Sequence, residues 1–93
     1  MPYRGYHIVE TADFKEAVEK VGGFWFVDEA LATVMDGLQR NPYGFGMIEN
    51  PLFSFRYAIT RRIGEIPPLV VIFRIERPET IYLEDIYYEE EAY

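Results

Sequence analysis

Hydrophobic and polar positions change their period several times along the chain, and each change marks an element. Tyr6 to Val9 is short, aromatic and β-branched, which is the pattern of a strand. After Thr11, Asp13 and Glu16 stand at the spacing of a capping box, and Phe14, Ala17, Val18 and Val21 recur at helical intervals until Gly22-Gly23. A short first helix follows from this. The glycine pair reads as its C-terminal cap and not as a phosphate-cradling loop, because it comes after a helix instead of before one. Past the aromatic trio Phe24-Trp25-Phe26, Asp28 is placed to cap a second helix whose Leu31, Val34, Met35 and Leu38 form one apolar stripe, ended by Asn41-Pro42.

From Tyr43 to Leu52 no period is visible and Gly44, Gly46 and Pro51 punctuate the run, so a loop is predicted. The period then becomes two. Phe53, Phe55, Tyr57 and Ile59 alternate with Ser54, Arg56, Ala58 and Thr60, which predicts a strand buried on its bulky face. Gly64 and Pro67-Pro68 break this strand. Leu69 to Glu76 is the most apolar run and suits a central strand, and Arg77-Pro78-Glu79 forms a turn before a last strand, Thr80 to Tyr88. The order is β-α-α-β-β-β. Sequential strands joined by short turns favour an antiparallel meander, which gives an α+β fold with two helices packed on one face of an antiparallel sheet.

Composition supports one domain over residues 1–93. Hydrophobic residues make up 49% and charged residues 27%, enough apolar surface for a core in a chain of this length. With no cysteine there are no disulfides, thiolate metal sites or cysteine nucleophiles, which fits a reducing, cytoplasmic setting. No apolar run approaches a membrane span and the first residues lack the apolar centre of a signal peptide, so no membrane role is expected.

The net charge of −7 opposes nonspecific attraction to nucleic acid, yet it is unevenly spread. Arg56, Arg61, Arg62, Arg74 and Arg77 cluster in the strand region, whereas Glu84, Asp85, Glu89, Glu90 and Glu91 fill the last ten residues. Arginine suits phosphate and carboxylate recognition, but these side chains equally solvate a sheet face or pair with the acidic tail. An aligned register would set Arg56, Arg74 and Glu84 in a ladder on the polar face.

Other chemistry is sparse. His7 is the only histidine and Ser54 the only serine, so a His-dependent triad or a paired-histidine metal site is unsupported, and His7 reads as structural or solvent-facing. Glu89-Glu90-Glu91 alternate faces in an extended chain and do not converge on a cation. Glu84 and Asp85, adjacent on a strand, cannot face each other as acid and base. Neither metal nor cofactor is expected. The tyrosine-rich end and an edge strand allow a homodimer.

Asp28 to Tyr93 resembles the RelE/ParE superfamily, the toxin side of prokaryotic toxin–antitoxin pairs. The resemblance rests on Leu38-Gln39-Arg40-Asn41-Pro42 closing a helix, on Phe55-Arg56-Tyr57-Ala58-Ile59, on Leu69-Val70-Val71-Ile72-Phe73-Arg74-Ile75 and on Ile81-Tyr82-Leu83-Glu84-Asp85-Ile86. Met1 to Phe14 also fits. The ribonuclease branch cleaves mRNA on the ribosome with basic residues from the sheet and often a Tyr near the C-terminus; other members inhibit gyrase. Carried over, the resemblance implies Arg56, Arg61 and Arg62 at the phosphate, with Tyr93 or Tyr88 in proton transfer, since preorganised guanidinium groups stabilise the charge of in-line attack. Departures are evident: Ala58 and Val70 stand where further basic residues are usual, and Tyr87-Tyr88-Glu89-Glu90-Glu91 replaces a basic C-terminal cluster. The resemblance therefore implies first a module that binds an antitoxin-like protein, with Phe24, Trp25, Phe26 and Tyr43 as partner-binding residues, and second a ribosome-dependent mRNA endoribonuclease.

Overall fold

The computed structural model describes residues 6–48, 54–76 and 79–89. Strand β1 (His7–Glu10) leads into helices α1 (Ala12–Lys20) and α2 (Phe24–Arg40), then a single 3-10 turn over Pro42–Gly44. Strands β2 (Gly46–Met47), β3 (Phe55–Ile59), β4 (Leu69–Glu76) and β5 (Thr80–Tyr88) follow. The sheet order is β1-β5-β4-β3-β2, antiparallel throughout except that β1 joins β5 in parallel. This is the predicted α+β fold with one strand more than the sequence pattern shows. The extra strand is β2, two residues long and too short to display a period. It exists because Met47 pairs with Arg56 and Ile48 N–H donates to Phe55 O at 2.9 Å.

Both helices begin elsewhere than predicted. Thr11, not Asp13, caps α1: its Oγ1 accepts from Phe14 N–H at 3.1 Å. The same hydroxyl donates to Leu83 O at 2.7 Å, so a contact with a distant strand holds Thr11 in place as the cap. The α1 terminus is closed by the glycine pair as expected, with Gly23 N–H reaching Val18 O at 2.8 Å and Gly22 N–H reaching Glu19 O at 3.3 Å across a positive φ of 129°. α2 starts at Phe24, a turn before Asp28, with Gly23 at its N-cap in a positive-φ conformation. Its buried stripe accordingly extends back to Val27 and Ala30 before Leu31, Val34 and Leu38.

A single core joins the helices to one sheet face. Phe14, Val18, Val27 and Leu38 meet Leu69, Val71, Phe73, Ile81, Leu83 and Ile86. From β3 the inward residue is Ala58, which stands opposite Val71. The alternation of β3 is thus real but its faces are exchanged: Tyr57 and Ile59 lie on the side away from the helices, and Ile59 is 49% exposed. The small side chain turns inward because Phe45 fills the space under α2, its ring 5.7 Å from that of Phe73 and against Gly37.

Candidate functional site: the uncovered sheet face

The face opposite the helices carries Tyr57 and Ile59 from β3, Val70, Ile72 and Arg74 from β4, and Tyr82 and Tyr87 from β5. Ile48, Tyr57, Ile59, Val70, Ile72, Tyr87 and Glu89 line a shallow apolar cleft of about 340 Å³ on it. The ring of Tyr57 crosses over Gly46, where even a methyl group would come within 2.7 Å of the ring, so a glycine is needed for the ring to lie across the cleft. Val70 is buried beneath its neighbours Ile59 and Tyr87. Burial raises the phenol of Tyr87 above its ordinary pKa, and the nearby Asp85 carboxylate adds to the rise.

The guanidinium on this face is occupied. Arg74 Nε donates to Glu84 and Nη1 to Glu76, and its plane lies 4.2 Å from the Tyr82 ring centroid. The hydrogen bond to Glu84 raises the Arg74 pKa. Glu84 is reachable because the β4–β5 register slips between Ile72 and Phe73, inserting one extra residue into β5. The Arg74–Glu84 half of the predicted ladder is therefore present. The other half is absent, since Arg56 stands opposite Phe73 and Arg74 opposite Phe55, on different faces.

The remaining candidates are scattered. Arg56 turns toward the helix side, where Nη1 donates to Phe45 O at 3.0 Å and Tyr43 O at 3.3 Å, with the guanidinium 5.3 Å from the Tyr43 ring. Arg61 and Arg62 are exposed and line a cleft of about 720 Å³ between α2 and the end of β3, together with Arg40, Asp36 and Phe45. Five residues of extended chain separate Arg56 from Arg61, about 16 Å. Arg40 is held by Asp36 at 3.3 Å. The Tyr88 hydroxyl donates to Val21 O at 2.7 Å and its ring meets Phe26 edge-on. Tyr93 lies outside the described residues.

Of the aromatic candidates, Trp25 is fully exposed on the first turn of α2, with Phe24 beside it at 37%. Phe26 points inward, against Tyr88 and Gly22. Tyr43 is exposed at the far end of α2, past about 22 Å of helix from Trp25 to Arg40. These four residues do not form one patch. Sequence reasoning missed the Tyr57-Ile59-Ile72-Tyr87 surface, because its bulky alternation signals burial and the sequence does not say which face the helices take. Among the described residues no group of three or more His, Asp or Glu is placed to hold a metal ion, and no helix is long and apolar enough to cross a membrane.

Two helices on one face of a five-stranded, mostly antiparallel sheet, with no element over the other face among the described residues, define a RelE-like fold. The chain matches one in the crystal structure of the toxin–antitoxin complex RelBE2 from Mycobacterium tuberculosis with a TM-score of 0.61 and 18% identity, covering 92% of this chain and 100% of that one. No protein-family model matches the sequence, and no curated protein does.

Proposed function

We propose that this chain is a protein-binding member of the RelE-like group, acting in the cytoplasm, whose partner is an antitoxin-like protein. The observation that carries the reading is the chemistry of the uncovered face. It offers Tyr57, Ile59, Ile72 and Tyr87, and among the described residues its one guanidinium, Arg74, is already neutralised by Glu76 and Glu84. Such a surface gains free energy by burying apolar area against a protein, and it offers little to a phosphate backbone. Exposed Phe24 and Trp25 provide a second anchor at the start of α2. Support also comes from the structural neighbour, itself a toxin–antitoxin complex.

A second reading is mRNA cleavage, favoured by the cleft that Arg61 and Arg62 line with Arg40. Its weakness is proton transfer: Thr33, Asp36 and Thr60 are the other polar side chains around that cleft among the described residues, without a histidine or tyrosine. Induced expression in a bacterial host separates the two. Binding alone predicts normal growth and intact message. Cleaved message that becomes intact in Arg61→Ala or Arg62→Ala would sink the first reading and establish the second.

A further inference from the structure

We propose that the edge of β5 beyond the end of β1 accepts an extended, basic segment of a partner chain as an added strand. β1 pairs with β5 only from Thr80 to Leu83, and the ladder closes where Thr11 N–H donates to Leu83 O at 3.2 Å. The chain then turns into α1, whereas β5 continues to Tyr88. Among the described residues no strand lies beside this second half of β5 on that side.

The direction of the backbone groups follows from two hydrogen bonds. Ile86 N–H donates to the Asp85 carboxylate at 2.8 Å, so it points away from β4. Glu89 N–H donates to Pro68 O at 3.0 Å, toward the β4 side. Because successive residues alternate edges, Ile86 and Tyr88 present their N–H and C=O groups outward, a two-residue template for strand addition. The Asp85 side chain covers one of these donors, a local substitute for the missing strand that an incoming carbonyl displaces.

A groove of about 560 Å³ runs along this edge, walled on the other side by α1. Its charge selects the occupant. Glu16 pairs with Lys20 at 3.8 Å and Glu84 with Arg74, which leaves Asp13 and Asp85 without a cation among the described residues. A second copy of the chain would set like charges against each other here, since both edges carry Asp85. A segment alternating Lys or Arg with small apolar residues satisfies both the backbone groups and the carboxylates. This inference stands independently of binding on the uncovered face, which lies around Ile59 and Ile72.

The test titrates the isotope-labelled chain at low ionic strength with a capped octapeptide alternating Lys and Val, and with its Glu-Val counterpart. Backbone amide signals of Glu84 to Tyr88 shift with the basic peptide only, and exchange of the Tyr88 amide slows by about tenfold. The double variant Asp13→Asn with Asp85→Asn, which keeps an acceptor for Ile86 N–H, weakens binding by about fivefold to tenfold. A Lys-Val peptide methylated on its backbone nitrogens fails to bind. Equal response to both peptides, shifts centred on Ile59 and Ile72 instead, or no shift at millimolar peptide would each overturn the proposal.

Discussion

Arg56 and Arg74 lie on adjacent strands one register step apart, yet they face opposite sides of the sheet: Arg56 stands opposite Phe73 and Arg74 opposite Phe55. Each guanidinium is spent on the fold. Arg56 fastens the Tyr43–Phe45 carbonyls to β3, and Arg74 closes a carboxylate pair on the uncovered face. In a chain of net charge −7, two of the nine basic residues are thereby withdrawn from any common anion site.

Arg56→Ala removes the donor that holds two loop carbonyls. The expected cost is about 1–2 kcal/mol in urea unfolding. Faster hydrogen exchange at Ile48, whose amide pairs with Phe55 O at 2.9 Å, accompanies it while the β4–β5 amides keep their protection. Unchanged exchange at Ile48 would show that Phe45 packing alone holds the segment.

Removing the carboxylates around Arg74 changes the character of the uncovered face. The double variant Glu76→Gln with Glu84→Gln frees the guanidinium and is expected to elute later from a heparin column, at higher salt than the native chain. A further Arg74→Gln change, which leaves one negative charge fewer than the native chain carries, moves elution back toward the native position without fully reaching it. Identical elution of all three proteins would mean that the ion pairs do not mask Arg74.

The helix cap distinguishes Thr11 from Asp13. Thr11→Ala loses both the bond to Phe14 N–H and the bond to Leu83 O, an expected cost of about 1–2 kcal/mol. Asp13→Ala, at an exposed position within the first turn, costs about 0.5 kcal/mol or less. Thermal unfolding of the two variants side by side checks the order.

Tyr87 makes stability depend on alkaline pH. Its phenol titrates above the ordinary value of about 10 in the folded chain, so above that pH the unfolded chain binds fewer protons than the folded one. Stability contributed by the neutral phenol is complete below pH 10 and is lost as pH rises toward the raised folded value. Urea unfolding from pH 9 to 11 is expected to fall less steeply for Tyr87→Phe than for the native chain.

Local chemistry was readable from the sequence where the structure uses local contacts. Gly22-Gly23 closes α1 with bonds to Val18 and Glu19 that span a few residues, and Asn41-Pro42 ends α2 where expected. The order of the main elements and the fold class were likewise legible from period and punctuation. What escaped depends on distant partners. Thr11 is chosen as cap by Leu83, β2 exists only beside β3, and the buried face of β3 is settled by the ring of Phe45 under α2. The candidate site follows the same rule. Residue type pointed to Arg56, Arg61 and Arg62 as a group, but register and strand direction separate Arg56 from the other two. An exposed Trp25 was legible as a partner-binding candidate, whereas the apolar uncovered face was read as core.

The most direct measurement is calorimetric titration of this chain with an antitoxin-like protein that co-purifies with it, comparing the native form with Ile59→Glu and with Trp25→Ala. Trp25 is fully exposed and Ile59 is 49% exposed, and a thermal melt of each variant checks that the fold is kept before binding is compared. The account predicts that Ile59→Glu weakens binding by at least about a hundredfold, as expected for a charge set into an apolar contact, and that Trp25→Ala weakens it by about tenfold. Native affinity in the Ile59→Glu variant would contradict a partner seated on the uncovered face.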